Sequence, residues 1–275
     1  MRKFGSLNVM VSKIGLGTWM IEKDPSGSIR ALRAGLDLGL NHIDTAEMYG
    51  SGEAERLVAK AINGRRESVF LASKVLPSNA SFADTIRACE QTLSRLGTDH
   101  LDLYLLHWRE TIALEETFGA FEKLRMQGKI RAFGVSNFDV KDLEEAWKLS
   151  PEIACNQVLY HLKERAIEKS VFPWCVEHNI PVVAYSPFGA GDFPDKTRGP
   201  GKAFVALVKK LGATPRQLAL SFLTRHPLLF AIPKSSSVTH VKENAAAEML
   251  EISQTDIAAI DEMFPVQEKS SLPML

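Results

Sequence analysis

The chain has little cysteine, no net charge and no long apolar run, and each shortage closes off a class of protein. Its three cysteines, Cys89, Cys155 and Cys175, are too few and too scattered for a disulfide framework or a paired-cysteine metal site. They read as small reduced packing residues, and no metal is expected. Lys plus Arg number 33 and Asp plus Glu 33, so neither a basic footprint for nucleic acid nor a polybasic membrane patch is present. No stretch approaches the roughly 18 uncharged apolar residues that a membrane helix needs. The opening residues, MRKFGSLNVMVSKIG, carry neither the apolar core nor the cleavage site of a secretory signal. The expectation is a cytoplasmic, metal-free protein with no nucleic-acid or membrane partner. Nothing advertises a large apolar interface, so a monomer is expected.

What the chain does have is material for a large core. Hydrophobic residues make up 45% and charged residues 24% of its 275 positions. That length suits two domains of roughly 150 residues or one α/β barrel of about 250. No linker or low-complexity segment divides it. Instead, short β-branched apolar runs alternate with amphipathic stretches of helical period. The runs are KIGLGT, GLNHIDTA, VFLASK, LDLYLLH, IRAFGVSN, EIACNQ, PVVAYS and LLFAIPKS. Marking each near its end gives Gly17, Asp44, Lys74, His107, Ser136, Gln157, Ser186 and Lys234, at spacings of 21 to 33 residues and a last one of 48. A strand–helix–strand crossover takes about 30 residues, so these spacings read as seven consecutive crossovers. The last has room for a loop, GAGDFPDKTRGPG, and two helices. A doubly wound sheet would usually open with a glycine-rich phosphate turn, and GLGTWMIEKD is not one. The prediction is a single (β/α)8 barrel over residues 1–275, with KFGSLNVMVS as a short hairpin against its bottom.

In such a barrel, chemistry sits at the C-terminal ends of the strands. Three successive runs end in Asp44, Lys74 and His107, and Tyr49 follows Asp44 in DTAEMYGSGE. Singly, each has a plainer reading. Asp44 and Lys74 make a structural ion pair at a rim, Tyr49 a packed aromatic, and His107 a satisfied histidine. Jointly, at one rim, they form a chemically complete set. A phenol with an ordinary pKa near 10 is a sluggish acid at neutrality, and an ammonium beside it favours the phenolate. Lys74 is therefore expected to lower the Tyr49 pKa, with Asp44 keeping Lys74 charged and His107 donating a hydrogen bond to a carbonyl oxygen. Such a set reduces carbonyls with an external hydride donor.

These residues, with HIDTAEMYGSGE, LLHW, GVSNF, YSPFG and IPKS in order along the chain, resemble the aldo-keto reductase family from GLGTW at 15–19 to KEN at 242–244. The likeness is to its prokaryotic reductases of methylglyoxal-type dicarbonyls and keto-sugars. The resemblance implies Tyr49 as proton donor, Lys74 as its modulator, Asp44 as the support of Lys74, and His107 as the residue that orients the carbonyl. It also implies NADPH as cofactor, with NADH possible. Gly17, Thr18, Ser136, Asn137 and Gln157 would lie at the nicotinamide, with Tyr185 stacked on its ring. Ser186, Phe188 and the glycine-rich loop would follow the pyrophosphate. Lys234 and Ser235 would meet the 2′-phosphate, and Glu243 and Asn244 the adenine. Without the resemblance, Ser136–Asn137 also has a plainer reading as a turn and helix cap, and the glycine-rich loop reads equally as a flexible connection.

One residue departs from the family pattern. His240 stands where many members place an arginine that pairs with the 2′-phosphate, and a histidine cannot make a bidentate fork. Lys234 is then the main determinant of NADPH preference. Trp19 and Trp108 would wall the substrate pocket, with modest help from the tail after Phe264. Arg109 is a weak candidate for binding a substrate anion, and Trp147 and Trp174 read as packing residues. The expected activity is reduction of small aldehydes or ketones: dicarbonyls, aryl aldehydes or keto-sugars. The alternatives are a non-catalytic nicotinamide sensor or channel-associated subunit, and an alcohol or sugar dehydrogenase working in the oxidative direction.

Overall fold

Each of the eight apolar runs overlaps a strand, the sixth least well because EIACNQ ends two residues into a strand that runs to Leu159, and all eight strands are parallel. The computed structural model describes every residue of the chain except 268 and 270. An antiparallel pair, β1 (Arg2–Lys3) and β2 (Met10–Val11), comes first. Then follow β3 (Leu16–Gly17), α1 (Pro25–Asp37), β4 (His42–Asp44), α2 (Glu53–Ile62), β5 (Phe70–Val75) and α3 (Phe82–Leu96). The middle of the chain gives β6 (Leu101–Leu106), α4 (Leu114–Met126), β7 (Ile130–Ser136), α5 (Val140–Leu149), β8 (Asn156–Leu159) and α6 (Val171–Glu177). The last part gives β9 (Val182–Tyr185), α7 (Gly199–Lys210), α8 (Pro215–Leu223), β10 (Leu229–Ala231), α9 (Val238–Ala246) and α10 (Gln254–Met263).

The sheet runs in sequence order from β3 to β10. It closes through parallel bridges Ile14–Ala231 and Gly17–Lys234, with Gly15 N–H donating to Ala231 O at 2.7 Å and Gly17 N–H to Pro233 O at 3.1 Å. Gly17 is required at this seam, because a Cβ there would lie 2.5 Å from Ile232 O. The result is the predicted barrel.

Strand periodicity sorts the residues into two cores. Inward positions form a small cluster that includes Phe70, Ala72, Leu103, Leu105, Cys155, Val183, Phe230 and Ile232. Phe4, beside the N-terminal hairpin, is fully buried in that cluster and packs on Phe70 and Phe230 at centroid distances of 5.0 and 4.8 Å. The hairpin therefore seals the barrel floor, as expected. Outward positions, among them Leu71, Val75, Tyr104, Leu106 and Phe133, join the apolar faces of the helices in the larger core.

Helix starts follow local chemistry. Asp24, Ser81, Asp139, Thr214 and Ser253 each accept a backbone N–H from the residue three positions on, which satisfies an orphan donor of the first turn. One sequence expectation needs correcting. The predicted loop from Gly189 to Gly201 ends early, because Gly199–Gly201 already open α7, with Pro200 in its first turn.

The three cysteines are free and buried. Burial pushes the Cys89 and Cys175 thiols up to about 12, and Cys155 higher still, so they are poor nucleophiles. Trp147 and Trp174 pack with His178 among the helices. Among the described residues, no helix is long and apolar enough to cross a membrane, and no group of His, Cys, Asp or Glu is placed to hold a metal.

Candidate active site

At the C-terminal end of the barrel the inward-facing side chains change from apolar to polar. Continuing the two-residue period upward from the small core leads from Phe70 and Ala72 to Lys74 on β5, and from Leu103 and Leu105 to His107 after β6. It leads from His42 to Asp44 on β4. Lys74 is fully buried and Asp44 only 1% exposed. All three ammonium hydrogens have acceptors: Asp44 Oδ1 at 2.6 Å, Thr45 O at 2.9 Å and Tyr49 Oη at 3.2 Å. The other carboxylate oxygen of Asp44 accepts from Gln157 Nε2 at 2.7 Å, and its backbone carbonyl accepts from Thr18 Oγ1 at 2.8 Å. The pair is buried, close and hydrogen-bonded on both sides, which is the condition for burying opposite charges.

Tyr49 sits not on a strand but on a tight turn, Tyr49–Gly52. There Gly50, Ser51 and Gly52 are all left-handed, with φ of 56°, 53° and 85°. The turn brings the phenol back over β5. Its ring meets His107 edge-on at 5.8 Å, and the Lys74 ammonium lies 4.9 Å from the ring centre.

The electrostatics differ in one respect from the sequence expectation. Burial raises the Tyr49 pKa, and the opposing pull of the Lys74 charge and hydrogen bond does not overcome it. The phenol therefore keeps its proton at neutral pH. Burial also works against the Lys74 ammonium, but Asp44, Tyr49 and the hydrogen bonds to both outweigh it, so the Lys74 pKa is raised. Burial, then the Lys74 charge, lowers His107 to about 2, so its imidazole is neutral. Its Nδ1 is sealed without a hydrogen-bond partner among the described residues, which leaves Nε2 as the nitrogen available to a ligand.

These groups face a cavity of about 300 Å³. Tyr49, His107 and Asp44 line it beside the predicted walls Trp19 and Trp108. Gly17, Thr18, Ser136, Asn137 and Gln157 line it too, together with Tyr185, Ser186 and Lys234. Lys74 stands behind Tyr49. Phe188, Ser235, His240, Glu243 and Asn244 lie outside this cavity, on the β9 loop, the β10 loop and α9.

Several polar groups expected to meet a ligand are already bonded within the protein. The Asn137 amide donates to His107 O at 3.1 Å and Ser136 Oγ at 3.2 Å, and its Oδ1 accepts from Tyr185 Oη at 2.9 Å. Asn137 and Ser186 are left-handed, with φ of 62° and 48°. Arg109 is held by Asp142 at 2.9 Å and by both oxygens of Glu145 at 2.7 Å, so it is committed to α5 and is not a free anion site.

Sequence reasoning missed Thr45, whose carbonyl accepts from Lys74, and the cavity residues Met48 and Ile232, and it underrated Met274 and Leu275, which reach the cavity from the tail. Thr45 and Met48 lie inside the quoted motif, and Ile232 continues the inward period of β10. Nothing local marks the end of the tail.

A dinucleotide suits the residues present. Amide and hydroxyl groups surround one end, and the Tyr185 ring offers a flat face. Lys234 is exposed beyond it and makes no ion pair among the described residues. Asn244, 3% exposed, buries an Oδ1 without a hydrogen-bond partner among those residues, an acceptor that an amino group can satisfy.

Comparison with known proteins gives a consistent picture. Residues 13–264 match the aldo/keto reductase family. Methylglyoxal reductase YeaE of Escherichia coli (strain K12) is 44% identical over 279 residues, spanning 98% of this chain and 96% of that protein. Glyoxal reductase of Bacillus subtilis (strain 168) is 34% identical over 250 residues, spanning 90% and 87%. An aldo/keto reductase from Klebsiella pneumoniae, solved in complex with NADP and acetate, superposes with a TM-score of 0.95 at 44% identity, covering 100% of this chain and 99% of that one.

Proposed function

Because the chain belongs to the aldo/keto reductase family, we propose that it reduces small aldehydes and dicarbonyls of the methylglyoxal type with NADPH, and that Tyr49 donates the proton. The observation that carries the assignment of Tyr49 is the direction of one hydrogen bond. The Lys74 ammonium donates to Tyr49 Oη at 3.2 Å, so the phenolic hydrogen is left free to point at a substrate oxygen. His107 cannot compete as an acid, since its imidazole is neutral.

When bound, NADPH would supply the hydride that reduces the carbonyl carbon. Ser136, Asn137 and Gln157, with Gly17 and Thr18, would hold its carboxamide end, Asn137 through the Oδ1 lone pair that Tyr185 does not use, and Tyr185 would offer its ring face to the nicotinamide. Ser186 and Phe188 would follow the pyrophosphate. Lys234, Ser235 and His240 would meet the 2′-phosphate, and Glu243 and Asn244 the adenine. His107 donates from Nε2 to the carbonyl oxygen and fixes its position. As the carbon–hydrogen bond forms, Tyr49 Oη releases its proton to that oxygen, and the carbonyl leaves as an alcohol. Lys74 stabilises the phenolate left behind, and Asp44 holds Lys74 in place, so the developing charge meets a fixed cation.

The substrate reading rests on the walls and on the relatives. Trp19, Trp108, Met48 and Met274 give the cavity an apolar surface, which suits small carbonyl compounds in their unhydrated form. Loss of NADPH absorbance with methylglyoxal, phenylglyoxal, a nitrobenzaldehyde and a keto-sugar tests the function. Tyr49→Phe should cut turnover by roughly two to four orders of magnitude with NADPH affinity unchanged. A Tyr49→Phe protein that reduces aldehydes at the wild-type rate would overturn the mechanism.

A further inference from the structure

The position at which the family pattern supplies an arginine to the cofactor holds His240 here, and a different arginine reaches the same region from the neighbouring helix. Arg216 is the second residue of α8, whose first turn is fixed by Thr214 and Gln217 in a reciprocal cap. Thr214 Oγ1 also donates to Glu243 Oε1, which ties the start of α8 to α9. The Arg216 guanidinium lies 4.0 Å from the second oxygen of Glu243 and 5.6 Å from the centre of the Phe188 ring. Next to Glu243 in sequence is Asn244, with its buried, unpartnered Oδ1.

Two features separate this arginine from a structural one. Its contact with Glu243 is loose and one-sided, whereas Arg109 is held by three carboxylate contacts of 2.9 Å or less. Its side chain is also 42% exposed, so a planar cation is partly open to solvent beside the Phe188 ring. A guanidinium in that state stacks well on a flat aromatic system.

We propose that Arg216 is a cofactor-binding residue that stacks on the adenine, and that it supplies from α8 the guanidinium that α9 lacks at position 240. This rests on the reading of Glu243 and Asn244 as the adenine subsite. Phe188 and Glu243 limit where the guanidinium plane can go, and Asn244 Oδ1 accepts from the adenine amino group. Stacking does not involve the 2′-phosphate, so Arg216 strengthens NADPH and NADH alike, while Lys234 discriminates between them.

The test is titration of NADPH and NADH into wild-type, Arg216→Ala, Arg216→Lys and Lys234→Ala proteins, followed by quenching of tryptophan fluorescence, with thermal unfolding run on each. Arg216→Ala should weaken both cofactors by a similar factor of about ten. Arg216→Lys should not restore binding, because it keeps the charge and loses the plane. Lys234→Ala should weaken NADPH alone. The proposal is overturned if Arg216→Ala binds both cofactors normally, or if it loses NADPH only and Arg216→Lys recovers it, which would place the guanidinium on the phosphate. If the wild-type protein binds neither cofactor, the parent reading fails, which is a separate result.

Discussion

The two ends of the barrel bury the same kind of residue for opposite ends. At the floor, His42 lies inside a cage of Phe4 and Phe70, and neither ring nitrogen has a hydrogen-bond partner among the described residues. At the rim, His107 lies against Tyr49 and Trp108 and faces the cavity. Both are held neutral, His42 at about 4 and His107 at about 2, and burial is the main cause of each shift. The floor histidine only fills space. The Lys74 charge pushes both down, but Asp44 and Asp102 oppose it at the floor, whereas at the rim it acts unopposed and leaves a neutral donor where a substrate oxygen would lie. Two residues along one strand, from His42 to Asp44, separate a site built for packing from one built for charge.

The largest effect expected from breaking this contrast comes from Lys74. Lys74→Met leaves Asp44 buried with Gln157 as the one remaining donor to its carboxylate among the described residues, which costs about 3–5 kcal/mol of stability, and it removes the cation behind Tyr49. Adding Asp44→Asn removes the stranded carboxylate. Denaturant unfolding should then show most of the lost stability regained, while turnover stays absent. If turnover returned in the double variant, or if stability did not recover, the buried pair would be structural rather than catalytic in purpose.

The floor gives a smaller effect with a defined pH signature. The folded-state pKa of His42 is depressed to about 4 from 6.5, so the unfolded chain binds the extra proton first. Its contribution to stability is complete above about pH 6.5 and is lost as pH falls toward 4. Between pH 7 and pH 5 that loss is about 2 kcal/mol. His42→Leu should remove this part of the acid sensitivity, measured as the difference between unfolding free energies at the two pH values. Parallel profiles for wild type and variant would mean that His42 is protonated at no cost. The rim provides the control, because turnover should show no limb near pH 6.5 from His107.

Much of this was legible in the chain because a barrel strand writes its geometry with a period of two. Asp44, Lys74, His107, Ser136, Gln157 and Lys234 end apolar runs, and each appears at the predicted rim. Tyr49 had no such signal. It stands on a turn, and it is picked out by its place five residues after Asp44 and by the acid that a phenol makes beside an ammonium, with the family motif in agreement. The direction of its pKa shift was misjudged because spacing reveals the neighbouring ammonium but not the burial that outweighs it. Arg216 is invisible for another reason: it reaches its place through Glu243 and Phe188, on elements far away in sequence. Gly199 and Gly201 look like loop in the sequence because glycine and proline punctuate loops, yet the same pair of signals opens α7 here.

The smallest effect concerns backbone strain, which also separates the two ends. Of the six non-glycine residues with left-handed φ among those described, five follow the C-terminal ends of strands: Met20, Ser51, Asn137, Ser186 and Ala190. The sixth, Asn179, precedes β9, and its carbonyl lies close to Gly5 at the floor. Asparagine tolerates this conformation and serine does so less well. Ser51→Gly should therefore raise stability by a few tenths to about 1 kcal/mol, the relief of strain exceeding the added freedom of the unfolded chain. Since Ser51 lies in the turn that presents Tyr49, a looser turn should lower kcat severalfold while leaving cofactor affinity alone. Asn179→Gly makes the matched change at the floor and should leave kcat where it is. If both variants kept full turnover, the strain at the rim would be incidental to the placement of Tyr49. If only Ser51→Gly lost activity, the turn would be held left-handed because the phenol has to be.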